Sequence, residues 1–344
     1  MKQDLHSHEV PQLIINEALT SQYLIIDVRA PVEFAAGHIP GSVNVPLLDD
    51  HERHLIGTIY KKEGSSEAIA KGYEFFAPKQ KELEDRLESL SGKQPWAITC
   101  ARGGMRSRIM TQFVIRAGYS ASQVIGGYKQ YRNYCLNRIS EINFSTLIVL
   151  QGKTGVGKTL VLTQLDQIID LEGMANHRGS LFGGVGLTPR SQKNFEGLLV
   201  QRLDQLDYSR PIFIEGESRK IGPVTVPNEL YVAMKASKTL LLDAPLEVRT
   251  SRIIDEYIHG FPHLIDRVRD GVIQLLPAFG QRRLDLLLDK FDKGDYAGCF
   301  NVVLEEYYDT KYQHSLNKLE FLGNFDTSDV ADAAQKITQW AAEL

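Results

Sequence analysis

Two glycine-rich loops constrain this chain more than anything else in it. The first reads Cys100-Ala-Arg102-Gly103-Gly104-Met-Arg106-Ser107 and follows the apolar run Trp96-Ala-Ile-Thr99. The second reads Gly152-Lys-Thr-Gly155-Val-Gly157-Lys158-Thr159 and follows Thr146-Leu-Ile-Val-Leu150. In each case an amphipathic stretch comes next. A strand that turns through glycines into a helix is a working unit of parallel α/β sheets. It gathers loop amides and a helix N-terminus at one sheet edge, where an anion can bind. The two loops therefore predict α/β structure twice over, with an anion site in each half.

The surrounding pattern agrees. Residues 22–29 and 43–45 read as strands, with a short helix opening at Pro31 between them. Residues 67–90 and 107–117 read as helices, 123–125 as a last strand, and 132–145 as a compact connector. Beyond the second loop a helix is expected from Lys158 to about Ile169, strands at 211–215 and 239–243, and helices at 246–258 and 263–290. Apolar residues at Val330, Ala333, Ile337, Trp340 and Leu344 predict a final helix, capped by Thr327 or Ser328. With 344 residues the chain is long enough for two cores, divided here as 8–137 and 138–344.

Composition removes some functions. No apolar run approaches the ~18 residues of a membrane span. The start, Met1-Lys-Gln-Asp-Leu-His-Ser-His8, has no apolar signal region. Three widely spaced cysteines make no disulfide framework, so a reducing, cytoplasmic setting is expected. Residues 1–140 carry 17 basic against 15 acidic side chains and the remainder 22 against 28, so no global basic footprint announces a nucleic acid. A local basic groove would still suffice.

The first loop places a cysteine where a thiolate is favoured. Gly103 and Gly104 let the backbone curl, amides face the sulfur, and Arg102 and Arg106 add positive charge. The same cradle suits a tetrahedral anion. Cys299, in an apolar run, reads as core, and Cys135 as at most a resolving thiol. In the second loop the amides of Gly152, Gly155 and Gly157 would cradle phosphates, Lys158 would neutralise them and the Thr159 hydroxyl would hold Mg²⁺. Glu215 and Glu217, ending the apolar run 211–215, are candidates to support that ion through water, with no metal assigned outright. The segment Asp243-Ala-Pro-Leu-Glu247-Val-Arg249-Thr-Ser-Arg252 resembles a stretch of small-molecule and nucleotide kinases, which implies arginines closing over phosphates, and the polar run 176–184, with His177 and Arg178, reads as a binding loop for an anion or RNA.

Residues 8–137 resemble a rhodanese domain, through Asp27-Val-Arg29-Ala-Pro-Val-Glu33-Phe, Gly37-His38-Ile-Pro-Gly41-Ser-Val-Asn-Val-Pro46, the Cys100 loop and Val124-Ile-Gly-Gly127-Tyr. The resemblance implies that Cys100 carries or attacks sulfur or selenium, with Asp27 and Arg29 as a support pair below it. Five residues separate Cys100 from Arg106, one more than in typical sulfurtransferases and the spacing of cysteine phosphatases, which leaves room for a phosphate-sized group. Asp49 and Asp50 are the carboxylates within reach in sequence for a phosphatase acid, and nothing marks them for it.

The fusion of such a domain to a phosphate-binding loop is similar to the bacterial tRNA 2-selenouridine synthases. The likeness extends to His54-Leu-Ile-Gly57-Thr58-Ile-Tyr60-Lys61, Glu172-Gly-Met-Ala-Asn176-His177-Arg178-Gly179-Ser180 and Glu217-Ser218-Arg219-Lys-Ile221-Gly222. Ala101 stands where an aromatic residue is common in that family, and Gly216 where an acidic one is common. The implied fold is a rhodanese-like α/β domain followed by a P-loop NTPase-like α/β domain with a parallel sheet. The implied reaction has two stages on the wobble 2-thiouridine of tRNA. A geranyl group from geranyl diphosphate first alkylates the sulfur, and selenium from selenophosphate then replaces the geranylated sulfur. Cys100, Arg102 and Arg106 would serve selenophosphate, the second loop would serve the diphosphate, and Lys129, Arg132 and Arg138 would touch the tRNA backbone. Phe182, Phe195 and Leu199 are guesses for a geranyl pocket, with core packing the alternative for each. Three other readings stay open on the residues: a rhodanese–kinase fusion acting on a small molecule, a cysteine phosphatase with a nucleotide-binding domain, and a carrier or binding module without turnover.

Overall fold

The computed structural model describes residues 9–90, 92 and 94–343. The chain divides into two compact units, residues 1–140 with 196–198, and residues 141–195 with 199–344.

The first unit is built on a five-stranded parallel sheet in the order β1-β5-β4-β2-β3. Its strands are β1 (Gln12–Leu13), β2 (Leu24–Asp27), β3 (Val43–Asn44), β4 (Trp96–Thr99) and β5 (Ala121–Val124). The helices are α1 (Ile15–Ala18), α2 (Pro31–Ala35), α3 (Asp50–Lys62), α4 (Ser65–Phe76), α5 (Gln80–Ser89), α6 (Met105–Arg116) and α7 (Gly127–Glu141). The central strand β4 is buried along its whole length, as a parallel strand covered on both faces requires. Ile26, Val28, Trp96, Ile98, Met110 and Val114 form the core on which the Cys100 loop rests.

Two expectations change here. Residues 50–62, unassigned in the sequence, form α3, because Asp49 caps it: its carboxylate accepts the Glu52 amide at 2.8 Å while Glu52 accepts the Asp49 amide at 3.0 Å. The stretch 132–145, expected as a compact connector, begins inside α7, whose buried Tyr128, Tyr131, Cys135 and Ile139 recur at helical spacing. The expected division at 137/138 falls inside that helix.

The second unit is again a five-stranded parallel sheet, in the order β12-β11-β6-β8-β7. It comprises β6 (Leu147–Gln151), β7 (Ile168–Ile169), β8 (Ile212–Glu215), β11 (Lys238–Asp243) and β12 (Phe321–Asp326), with a small separate hairpin of β9 (Lys220–Ile221) and β10 (Val224–Thr225). Its helices run α8 (Lys158–Leu162), α9 (Leu171–Ala175), α10 (Gln192–Leu203), α11 (Asn228–Ala236), α12 (Leu246–Ile254), α13 (Ile265–Ile273), α14 (Leu276–Phe279), α15 (Gln281–Asp292), α16 (Tyr296–Val302), α17 (Thr310–Leu316) and α18 (Val330–Ala341).

The helix expected from Lys158 to Ile169 stops at Leu162, and Ile168–Ile169 instead pairs in parallel with Phe213 and Ile214. Two β-branched residues at a sheet edge gain more as a strand than as a helix end. The single helix expected at 263–290 is broken into three pieces where Pro277 and Gly280 interrupt it. The last helix is capped by Asp329, whose side chain accepts the amides of Ala331 and Asp332, rather than by Thr327 or Ser328. Leu344 lies outside the described residues. Cys299 is core, as expected, and Phe182, Phe195 and Leu199 are all fully buried packing residues, which leaves them no open pocket to line. No described helix is long and apolar enough to cross a membrane.

Candidate active sites: two anion loops

The cysteine loop leaves the end of β4 and enters α6. Cys100 is buried, with Sγ 3.2 Å from the Ser107 hydroxyl and accepting the Gly104 amide at 3.3 Å. The loop is held from one side by the turn at Gly126–Gly127. There the Tyr128 amide donates to the Cys100 carbonyl at 2.8 Å and the Lys129 amide to the Ala101 carbonyl at 3.0 Å. Gly103, at φ 64°, lies so close that a Cβ on it would come within 2.6 Å of the Gly126 nitrogen. Gln123, from β5, donates to the carbonyls of Gly103 and Gly104 and to the Ser107 hydroxyl. Sequence reasoning missed Gln123. Only the fold brings a residue 20 positions downstream under the loop.

Asp27 and Arg29 do form a buried pair at the end of β2. The Arg29 guanidinium donates to both Asp27 oxygens and to the Gly37 carbonyl, and lies 3.9 Å over the Tyr128 ring. Its link to the loop runs through Tyr128, whose amide holds the Cys100 carbonyl. Arg106 is partnered by Glu33, 2.6 Å away, with Arg53 at 3.6 Å from the same carboxylate. Burial raises the Glu33 carboxyl, but the Arg106 bond and charge outweigh it and hold the group below its ordinary range. Arg102 is exposed. Asp49 and Asp50 are spoken for: the first caps α3, and the second accepts the Val32 amide at 2.9 Å. Lys129 is exposed, while Arg132 and Arg138 are partly buried.

The loop opens on a cavity of about 700 Å³ beneath α3 and α4, in which Cys100, Arg102, Gly104 and Arg106 share the lining with Ile56, Ala68, Ile69 and Phe76. His54, Gly57, Thr58, Tyr60 and Lys61, singled out above only as a likeness, line this same cavity.

The second loop leaves β6 and opens α8. Gly155 and Gly157 have φ of 80° and 85°, and a Cβ on Gly152 would meet the Leu242 carbonyl at 2.5 Å, so three of its glycines are sterically required. Its carbonyls are gripped from outside. Arg249 donates to the Thr154 carbonyl at 2.8 Å, and Arg252 and the Thr327 hydroxyl donate to that of Val156 at 2.8 and 2.6 Å. Arg249 is itself buried in a two-pronged bond to Asp309, which also pairs with Lys153 at 3.2 Å. The arginines of 243–252 therefore tie the loop backbone. Arg249 is buried and outside the cavity lining; Arg252 lines the cavity as well as holding the loop.

That cavity, about 670 Å³, is bounded by Gly155, Gly157, Lys158, Thr159, Glu172 and Glu217 among others. Thr159 donates to Glu172 at 3.1 Å, and the Glu172 amide donates to Glu215 at 2.8 Å. Gly179, at φ 61°, faces both acids: a Cβ there would lie 2.5 Å from Glu217 and 2.9 Å from Glu172. Burial pushes Glu172 and Glu217 above the ordinary carboxylate range, Glu172 further so by the Glu217 charge. Glu215 lies fully buried beneath, its pKa raised by the same cause, with Oε2 lacking any hydrogen-bond partner.

An orphaned carboxylate oxygen, two crowded acids and a threonine hydroxyl are hard oxygen donors and suit Mg²⁺. Among the described residues no group of three or more His, Cys, Asp or Glu side chains is gathered so as to hold a metal ion.

Of the polar run 176–184, Asn176, Arg178, Gly179 and Ser180 line the P-loop cavity. His177 accepts the Gly179 amide at 3.1 Å, and its ring wedges between Gly183 and Gly222. Burial and then the Arg178 charge lower its pKa. Arg178 borders the cavity but is bonded to the Val185 carbonyl, paired with Glu256 and stacked near Tyr257 and Phe261. Arg219 is exposed and outside the lining. Glu172 was quoted above as part of a motif and given no role, yet it is the acid bonded to the loop threonine.

The architecture is that of a rhodanese domain followed by a P-loop domain of the AAA type. Residues 9–134 match the rhodanese-like domain, and residues 145–271 match the tRNA 2-selenouridine synthase AAA domain. The chain is 38% identical over 315 residues to a tRNA 2-selenouridine synthase of Nitrosomonas eutropha, covering 88% of this chain and 80% of that one. It is 36% identical over 340 residues to that of Hydrogenovibrio crunogenus (88% and 92% covered) and 32% identical over 347 residues to that of Psychromonas ingrahamii (92% and 93% covered). The chain belongs to the tRNA 2-selenouridine synthase family.

Proposed function

We propose that this protein is a tRNA-modifying transferase that makes 2-selenouridine from wobble 2-thiouridine in two stages, one at each loop. The observation that carries the reading is that relatives of that name match both units, and each unit holds its own anion loop opening on its own cavity.

In the first stage the thiocarbonyl sulfur attacks C1 of geranyl diphosphate. The C1–O bond breaks, diphosphate leaves, and the N3 proton is lost. The P-loop amides and Lys158 would take up the charge growing on the leaving diphosphate. Thr159, with Glu172 and Glu217 beside it, would hold Mg²⁺, which when bound neutralises the same oxygens. The outward bonds from Arg249, Arg252 and Thr327 keep the loop's shape before the ligand arrives, so little reorganisation is needed.

In the second stage selenophosphate would lie in the Cys100 cradle. The Gly104 amide, the α6 N-terminus and Arg102 and Arg106 offset its charge. Alkylation has by then turned a poor leaving group into a better one, so selenium can displace the sulfur at C2. The Gln123 bonds to the Gly103 carbonyl and the Ser107 hydroxyl would keep the loop from shifting around that ligand. The flipped wobble base would reach each loop out of its stack.

The test is nucleoside mass analysis of 2-thiouridine tRNA incubated with no donor, geranyl diphosphate, selenophosphate, or both. The expected result is one geranyl unit with geranyl diphosphate alone and selenium only with both. Unchanged tRNA in every condition, with the protein folded, overturns the reading.

A further inference from the structure

The cavity beside Cys100 is larger and more apolar than a selenophosphate site requires. It lies wholly within the first unit. Its walls include Leu48, Ile56, Ala68, Ile69, Phe76 and Ile109, contributed by α3, α4, α6 and the chain before them. The single acidic side chain in the lining is Glu33, already held by Arg106 and Arg53. Positive groups of Arg53, Lys61 and Arg102 share the lining with this apolar wall. The cavity at the P-loop is different in kind, since Asp170, Glu172, Glu217, Asp255 and Glu256 all border it.

We propose that the cavity beside Cys100 receives the ten-carbon geranyl chain of S-geranylated tRNA and is the exit pocket for geranylthiol. This rests on the two-stage reading above. In the second stage the reacting base carries a long apolar tail on the sulfur that must leave. Left in water, that tail would hold the base away from a buried sulfur; seated against Ala68 and Ile69 it draws C2 toward Cys100.

The step balances without a redox partner. Selenium of hydrogen selenophosphate forms the C2–Se bond. The C2–S bond breaks and its electron pair leaves with the geranylthiolate. Water takes the phosphoryl group, giving hydrogen phosphate. The three hydrogens of hydrogen selenophosphate and water end on the thiol, on N3 and on phosphate. The apolar walls accept the thiol once it is protonated, and the cationic groups hold the anionic reactant and product.

The inference predicts that the second stage selects for the prenyl group while the first does not use this cavity. The experiment uses the full-length protein, selenophosphate, and two anticodon stem-loop RNAs carrying preformed S-geranyl- or S-methyl-2-thiouridine. The geranyl RNA should be selenated with roughly 100-fold higher kcat/KM, the scale on which an apolar pocket discriminates by chain length. Ala68→Trp, which fills the cavity, and Ile69→Asp, at a partly exposed wall position, should each bring that ratio to within about fivefold. Selenation should fall at least tenfold relative to geranylation of 2-thiouridine RNA by geranyl diphosphate in the same preparations.

A second measurement needs no variant. The geranyl RNA should protect Cys100 of the wild-type protein from iodoacetamide at a concentration at least tenfold lower than the methyl RNA. Equal protection, or a kcat/KM ratio unchanged in Ile69→Asp, overturns the inference. Protection by the geranyl RNA with no selenation of either RNA would keep the pocket and overturn the two-stage function instead.

Discussion

The two loops share a plan and differ in what holds them. The cysteine loop is kept in place mainly by neutral contacts. These are the Gly126–Gly127 turn, the amide side chain of Gln123 and the Ser107 hydroxyl, with the Asp27–Arg29 pair acting at one remove through Tyr128. The P-loop is gripped by guanidinium groups, one of them in a buried bond to Asp309, and faces a crowd of carboxylates. A site that takes a multiply charged diphosphate with a cation can carry such opposed charges, because the ligand completes them. A site for an anionic selenium donor and a prenylated base is served by an apolar wall beside cationic groups, with Glu33 as the one acid and that acid already paired.

The largest effects should come from separating the two chemistries. Lys158→Ala should lower geranylation by about 100- to 1,000-fold, the range for loss of a charge-stabilising group in the transition state. Cys100→Ser should lower selenation of pregeranylated RNA, because the thiol lines the selenophosphate cradle, while geranylation is little changed, both read by nucleoside mass. A single variant that abolished both stages while remaining folded would break the comparison, because it would make one loop serve the whole reaction.

Next comes the manner of support. Arg249→Met strands Asp309 with only Lys153 opposite it and frees the Thr154 carbonyl. Breaking a buried charged bond in this way costs about 3–5 kcal/mol, seen as a lower urea midpoint for the second unit. Gln123→Ala removes three neutral hydrogen bonds from the cysteine loop and should cost the first unit about 1–3 kcal/mol. If the two losses came out equal, the distinction between charged and neutral support would be blunted.

Much of this was legible in the sequence, for a local reason. Each loop announces itself within about eight residues, since strand, glycines and helix start are contiguous and glycine most readily adopts the φ values seen at Gly103, Gly155 and Gly157. The supports were not legible. Gln123, Asp309 and Thr327 reach their loops from 20 to 171 positions away, and each is a common polar residue in an unremarkable setting. The cavity beside Cys100 was hidden because α3 went unassigned, although the capping pair Asp49 and Glu52 stands in the sequence. The run 176–184 stood out in the sequence by its glycines and polar residues, and Asn176, Arg178, Gly179 and Ser180 line the P-loop cavity; the packing of the His177 ring against the positions of Gly183 and Gly222 was not legible.

The smallest effect sharpens the electrostatic half of the comparison. Glu172, Glu215 and Glu217 are all raised above their unfolded values, chiefly by burial, so the folded state without ligand holds protons that the unfolded chain releases near pH 4.3. The stability each contributes is present in full below the unfolded pKa. It is lost as pH rises toward and through the higher folded pKa, because ionising a buried acid opposes folding while the unfolded chain is already ionised. The thermal midpoint of the second unit should therefore fall by a few degrees or more between pH 5 and pH 8, a shift of the size expected when roughly 1 kcal/mol or more is lost. Glu215→Gln keeps the acceptor for the Glu172 amide and removes one of the three acids, so its midpoint should decline less steeply. Adding Mg²⁺ with inorganic diphosphate should flatten the wild-type slope further, since a cation favours the ionised acids. A slope as steep in Glu215→Gln as in the wild type would show that this buried carboxyl holds no such proton, and that the P-loop site is less electrostatically strained than its crowding suggests.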